Sequence, residues 1–240
     1  MARQFDVFIL SGEQLEQPFT DKALGWFCTK KPNGKMAEST AEWVIFASAG
    51  VKISRPLLDD LADAAATFTN VDSFAPTVLF ENGTASTGAV YDKASGFSEL
   101  KGETQPKFAA ITSEHFGMFS RRILQRTGGF DETLPEAARL ADLSLRTLHA
   151  GGKTLTLPGI EVASTIAECA PWFAQKGNRT ALASILYKAL GWGPALNYLA
   201  RHPGTAPAFQ SGLSQLRRKR EMVIDSSKLG RDFLKEIGVL

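Results

Sequence analysis

Short apolar runs rich in aromatic and β-branched residues alternate along this chain with stretches of helical periodicity, and that alternation limits the folds open to it. Phe5-Asp6-Val7-Phe8-Ile9-Leu10, closed by Ser11-Gly12, predicts an opening buried strand. Ser11 and Gln14 have capping-box spacing, and Pro18 limits any helix begun there to a turn or two. Leu24 to Thr29 predicts a second strand. Lys31-Pro32-Asn33-Gly34 has the chemistry of a turn, Met36 to Glu42 suits a short helix, and Trp43-Val44-Ile45-Phe46 is a third strand. Arg55 to Phe68 places Leu57, Leu58, Leu61, Ala62 and Ala65 at helical spacing, behind Ser54 as a cap and Pro56 in the first turn.

The pattern continues through strands over Ser73 to Glu81 and Thr87 to Asp92, divided by the turn signal Asn82-Gly83. Ser95 to Gln105 is polar and reads as a surface loop, and Phe108 to Thr112 as an extended segment. Ser120 to Arg126 is helical up to the glycine pair Gly128-Gly129. Pro135 to His149 is a second strong helix, closed by Gly151-Gly152, and Lys153 to Ala163 returns to strand character. From Glu168 onward the chain is mostly helical. These elements predict an α/β sheet domain over residues 1–165 and a helical C-terminal extension over 166–240.

Composition narrows the function classes. The 240 residues suffice for one good core and a small appendage. A net charge of +2 is too mild for a general nucleic-acid footprint, so nucleic acid is not an expected partner. Cys28 and Cys169 stand far apart without metal-type spacing, which fits a reducing compartment. No apolar run is long enough for a signal peptide or a membrane span. A cytoplasmic protein, soluble or peripheral to the inner face of the membrane, is the expectation.

Thr127-Gly128-Gly129-Phe130-Asp131-Glu132 is preceded by Arg121-Arg122-x-Leu124 and followed by Asp142-Leu143-x-Leu145-Arg146 and Gly151-Gly152-Lys153. Together these resemble the acceptor-side signature of family 2 glycosyltransferases. Trp43-Val44-Ile45-Phe46 and Pro56-Leu57-Leu58-x-x-Leu61 resemble the strand and helix flanking that family's Asp-x-Asp metal motif. The resemblance spans about Trp43 to Ser164. It implies a GT-A-like mixed sheet with flanking helices, a nucleotide-sugar donor, a glycan acceptor and a place in surface-glycan or polysaccharide assembly. In the family, a divalent cation neutralises the leaving diphosphate and an Asp takes the acceptor's proton.

This sequence departs from the family at those points. Ser48 and Gly50 stand where the metal-motif acids fall, and neither is a hard anionic ligand. Arg139 and Leu140 stand where the acid pair holding the base would lie, and Ala163-Ser164 where some members place a metal-binding His. The stretch Ser11 to Glu42 is also shorter than the family's usual nucleotide-binding half. The resemblance therefore implies a degenerate site without a divalent metal. Ser48 and Gly50 would line the donor phosphates, and Asp131, Glu132 or Asp142 would stand nearest the acceptor. Two readings remain open: a transferase, or a non-catalytic protein of the same fold that binds a glycan or a partner glycosyltransferase.

Several residues carry a plainer reading beside the functional one. Asp142 shares a helix stripe with Glu136, Arg139, Arg146 and His149, which also describes an ordinary salt-bridge ladder. Asp131 and Glu132 can contact an acceptor or cap the turn before Pro135. His115 can stand near the acceptor opening as a proton acceptor, or be structural. His149 suits the last turn of its helix as a cation, and Cys28 suits the core. Arg217-Arg218-Lys219-Arg220, preceded by Tyr187, Trp192, Tyr198 and Phe209, can mark a peripheral membrane contact, a solvated helix end or a subunit contact.

Overall fold

β1 (Phe5–Leu10) is the axis of the first half of the sheet, with β2 (Leu24–Cys28) parallel on one side and β3 (Trp43–Ser48) parallel on the other. The computed structural model describes residues 4–11, 18–19, 24–93, 96–167 and 171–226. The helix expected behind Ser11 falls mostly outside them, as does Cys169. Between β2 and β3 stands α1 (Pro32–Ala37), earlier than the helix expected over 36–42. Pro32 occupies the start of the helix, where its missing N–H removes no intrahelical bond, so the turn-like tetrapeptide is itself helical. Phe8, Leu10, Val44 and Phe46 point to one face of the sheet, and Phe5, Val7, Ile9, Trp43, Ile45 and Ala47 to the other. Both faces are buried, as parallel strands require.

α2 (Arg55–Thr67) begins at Ser54, whose Oγ accepts from the Leu57 N–H at 3.3 Å, and packs Leu57, Leu58 and Leu61 on the second of those faces. β4 (Ser73–Leu79) turns through Asn82-Gly83 into β5 (Ala85–Ser86), with Asn82 Oδ1 accepting from the Thr84 N–H at 3.1 Å. A hairpin of β6 (Ala89–Asp92) and β7 (Gly96–Glu99) follows. β7 occupies part of the expected polar loop, and it is strand because Phe97 is buried in the core beneath it. Phe108 to Thr112 makes isolated bridges, Phe108 to Leu155 and Ile111 to Ala89.

β8 (Phe116–Ser120) is the strand that the sequence pattern did not disclose. It runs antiparallel to both β3 and β4 and joins the two halves of the sheet. With β9 (Thr154–Ala163) parallel to β4, the order is β2-β1-β3-β8-β4-β5, β9 being the further partner of β4. Gly117 interrupts the apolar run of β8 for a steric reason: a Cβ there would lie 2.8 Å from the Phe119 ring and 3.0 Å from Thr112 Oγ1.

α3 (Arg121–Thr127) is capped by Ser120 and ends at Gly128 in the left-handed conformation, φ 72°. α4 (Glu136–His149) lays Leu140 and Leu143 on the Phe8–Phe46 face. Its other side carries Ala138, Ala141, Leu145 and Leu148 into a core shared with Leu182, Ile185 and Leu186 of α5 (Arg179–Leu190). α6 (Trp192–Arg201), α7 (Ala206–Ser211) and α8 (Leu213–Ser226) complete this helical layer. Among the described residues no helix is long and apolar enough to cross a membrane.

Candidate functional site

The chain leaves β1 for β2 on one side and returns to β3 on the other, so the carboxyl ends of β1 and β3 part at a topological switch point. Open α/β sheets bind ligands in the crevice there. Ser48 ends β3 opposite Leu10 and lies at that edge. Gly50 follows with φ 92°, and a Cβ on it would meet Thr165 Oγ1 at 3.0 Å and Ile166 Cγ1 at 3.1 Å. Its carbonyl accepts from the Thr165 N–H at 2.9 Å, which laces the segment after β9 to the segment after β3.

His115 completes this edge from the start of β8. Its carbonyl accepts from the Ser48 N–H at 2.9 Å, and its Nδ1 lies 3.3 Å from Ser48 Oγ. Glu114 Oε1 is 3.3 Å from His115 Nε2, close enough for an ion pair but out of line for a hydrogen bond. The other Glu114 oxygen accepts from the Trp172 N–H at 3.0 Å, and Phe80 stands edge-on to the imidazole with centroids 5.5 Å apart. A serine hydroxyl, an imidazole and an oriented carboxylate are thus gathered beside the β1–β3 crevice. The two expected donor-side residues, Ser48 and Gly50, are placed together there.

The donor set does not fit a divalent cation. Ser48 and Gly50 supply no anionic oxygen, the Gly50 carbonyl is engaged by Thr165, and one Glu114 oxygen is held by Trp172. No group of three or more His, Cys, Asp or Glu residues suited to a metal occurs among the described residues.

The expected acceptor-side residues form a separate cluster around the Gly128-Gly129 turn. Gly129, φ 76°, sits against α1, where a Cβ would lie 2.6 Å from Asn33 Oδ1. The Asn33 side chain clasps the turn, donating to the Phe130 carbonyl at 2.8 Å and accepting from the Phe130 N–H at 2.8 Å. Phe130 drives its ring edge-on into Phe46 of β3. Glu132 Oε1 accepts from the Asn33 N–H at 3.3 Å, so this carboxylate caps the start of α1.

Asp131 and Asp142 are joined through Lys188 of α5. Lys188 Nζ donates to Asp131 Oδ2 at 2.9 Å and also pairs with Asp142 Oδ1, and its side chain is only 4% exposed. Asp142 Oδ2 accepts from Arg146 Nε at 2.9 Å, and the remaining Arg146 nitrogens hold the Thr127 and Gly129 carbonyls. Lys219 of α8 donates to both Asp131 oxygens, at 2.7 and 2.8 Å, and to Thr133 Oγ1. Burial alone would raise the Asp131 pKa. The Lys188 charge and the hydrogen bonds from Lys219, Thr133 and Lys188 outweigh it and hold the carboxyl well below the usual range.

The polar stripe of α4 keeps one pair of the expected salt-bridge ladder, Asp142 with Arg146. α5 and α8 cover it, leaving Asp142 1% and His149 4% exposed. His149 is correspondingly not the expected cation: burial lowers its pKa to about 4, against the Ala189 backbone and with the Arg220 charge assisting. Arg139 spreads its guanidinium over the Leu134, Lys30 and Glu132 carbonyls. Leu140 is fully buried. The basic run also divides, since Lys219 and Arg220 turn inward while Arg217 and Arg218 stay exposed. Between α8 and the Gly-Gly turn lies a cavity of about 430 Å³, lined by Thr127 to Asp131, Arg146, Lys188, Lys219 and Met222 but by neither Ser48 nor Asp142.

Three contributors escaped sequence reasoning. Lys188 was legible as a lone charge inside the apolar stretch Ala181 to Leu190, and Glu114 as a carboxylate adjacent to His115. Asn33 gave no comparable signal, because its partner lies 97 residues away.

No protein-family model matches this sequence, and no curated protein matches it. Solved structures do. The chain is similar to the crystal structure of GalNAc-T7 with UDP, GalNAc and Mn²⁺, at TM-score 0.59 and 12% identity over 99% of this chain. It spans 58% of that longer chain. It is also similar to S. aureus TarS residues 1–349, at TM-score 0.50 and 11% identity over 97% of this chain and 92% of the other. These likenesses, with the mixed sheet and its flanking helices, establish a GT-A glycosyltransferase fold.

Proposed function

We propose that this chain is a degenerate family 2-type glycosyltransferase homologue of surface-glycan or polysaccharide assembly, binding a nucleotide-sugar donor at the carboxyl edge of β1 and β3 without a divalent cation. The observation that carries this reading is the Ser48–His115–Glu114 cluster at the switch point of a GT-A fold. The glycan setting rests on the sequence resemblance. Departure of a nucleoside diphosphate from a sugar leaves negative charge on phosphate oxygens, and some group must offset it. Here the His115 imidazole and the Ser48 hydroxyl supply that offset as hydrogen-bond donors, with Glu114, anchored by Trp172, beside the ring. The left-handed turn at Gly50 lets the backbone pass close to the ligand. Of the three acids expected at the acceptor, Glu132 accepts from a backbone N–H, whereas Asp131 and Asp142 are counterions to lysine and arginine. Of the three, Glu132 is the acid assigned in this reading to receive an acceptor's proton.

Calorimetry against uridine and guanosine diphosphosugars, with parallel transfer and hydrolysis assays, tests the reading. The expected result is donor binding that EDTA leaves unchanged and that His115→Gln weakens at least tenfold. Absence of nucleotide affinity, or turnover that Mn²⁺ or Mg²⁺ stimulates, overturns it.

The second reading, a non-catalytic protein that binds a glycan or partner enzyme, is favoured by one specific arrangement. Leu140 lies in the core where the family's base would fall, and the two nearest aspartates are neutralised by buried cations. Donor binding without any transfer or hydrolysis distinguishes it from the first.

A further inference from the structure

The cavity between α8 and the Gly128-Gly129 turn has no part in the function proposed above, since none of Ser48, His115 and Glu114 lines it. Its volume of about 430 Å³ falls among small-molecule clefts, which run from about 300 to 1,000 Å³. Main chain forms part of its wall. Gly128 closes α3 with φ 72°, and nothing stands within 4 Å of the place a Cβ would take, so the turn is open on that side.

Charge distinguishes this lining. Arg126, Arg146, Lys188 and Lys219 surround the cavity with a single acid, Asp131. Three of these cations are already engaged: Arg146 and Lys188 hold Asp142, and Lys188 and Lys219 hold Asp131. Even with the buried Asp142 counted, four cations stand against two carboxylates, a surplus of two positive charges. Neighbouring acids do not line the cavity: Glu132 caps α1, and the exposed Glu221 is not part of the wall. Arg126 is the cation left over. Its side chain and that of Gln125 beside it make no hydrogen bond or ion pair among the described residues, and both are exposed at the end of α3. From its own side, α8 contributes apolar surface. Met222 is 66% exposed although it borders the cavity, with the buried Val223 next to it, and a thioether side chain adapts to the shape it covers.

We propose that this cavity binds a phosphate monoester with an apolar body, the head on Arg126 and Gln125 and the body against Met222 and Val223. The dianion of such a head matches the surplus of two charges, and a guanidinium meets two phosphate oxygens at once through parallel N–H bonds. Arg146, Lys188 and Lys219 add attraction from behind without leaving their present partners. The same field repels a metal cation, and a neutral glycan would leave the surplus uncompensated. The site shares no residue with the Ser48–His115–Glu114 cluster, so it stands whether or not a nucleotide sugar binds there.

Ligand-observed NMR titration of the full chain with hexyl phosphate, using inorganic phosphate and hexanoate as competitors, tests the assignment. The expected result is saturable binding that salt weakens, with each competitor at least about tenfold weaker. Arg126→Gln should weaken it by roughly tenfold and Met222→Ser by about threefold, while His115→Gln leaves it unchanged. Arg126 and Met222 are exposed, and an unaltered thermal melt verifies the fold of each variant. The proposal is overturned if hexyl phosphate does not bind, if either competitor binds as tightly, or if Arg126→Gln or Met222→Ser binds like the parent. Displacement by uridine diphosphate, or loss of binding in His115→Gln, also overturns it by placing the ligand in the β1–β3 crevice.

Discussion

Lys219 closes on Asp131 from 88 residues further along the chain, its Nζ 2.7 Å from Oδ1 and 2.8 Å from Oδ2. The last described helix is thereby fastened to the Gly-Gly turn at the residue that sequence resemblance marks for the acceptor. Lys219→Gln is expected to weaken this attachment and cost about 1–3 kcal/mol, as for a hydrogen bond to a charged group. Urea unfolding measures the loss, and proteolysis should cut the variant first near α8. A midpoint equal to the parent's would refute the fastening role.

Lys188 carries a heavier duty, because it is buried between two carboxylates. Lys188→Met leaves Asp131 and Asp142 short of a cation and should destabilise the fold by roughly 3–5 kcal/mol. Adding Asp142→Asn should recover part of that loss. Denaturant titration of the single and double variants decides the point, since independent, additive losses would mean the residues are not coupled.

Stability should fall with acid, beginning at the His149 transition. Its folded pKa is about 4, below its ordinary 6.5, so as pH falls below 6.5 the unfolded chain takes up a proton that the folded chain refuses. The stability present above pH 6.5 is lost down to about pH 4, by roughly 3 kcal/mol from this group. Asp131, depressed below its ordinary value of 3.8, adds a loss in the same direction at still lower pH. Urea midpoints at pH 7, 6 and 5 should decline for the parent and flatten for His149→Phe. An unchanged slope in the variant would remove His149 as the cause.

Gly50→Asp restores one acid of the family's metal motif in sequence but not in geometry. The left-handed φ of 92° and the crowding by Thr165 and Ile166 oppose any side chain. The variant should lose about 1–3 kcal/mol of stability and gain no Mn²⁺ affinity. Calorimetric titration with Mn²⁺ and a thermal melt test both halves, and tight metal binding by a stable variant would contradict them.

The legible part of this fold was the part governed by local rules. The capped helix from Arg55, the strand runs at Phe5 and Trp43, and the αL glycine closing the helix before Asp131 each follow from spacing and turn chemistry within a few residues. Distant partners hid the rest. β8 was obscured because Gly117, required by Phe119 and Thr112, breaks its apolar run. α1 looked like a turn because Pro32 and Gly34 suit turns as well as they suit the start of a short helix. The Gly128-Gly129 turn was visible in the sequence, whereas the pairing of Asp131 with Lys188 and Lys219 was not. That Asp142 is an interior counterion depends on α5 and α8, which no spacing within α4 records.

The position of β8 also sets an order of events during synthesis. A nascent chain that has not yet produced Phe116 holds β3 and β4 without their common partner, so each presents an open edge able to pair with another chain. β9, the other long partner of β4, emerges later still. Closure of the sheet therefore waits until β9 has been made, and chains stalled before it are the ones most exposed to aggregation.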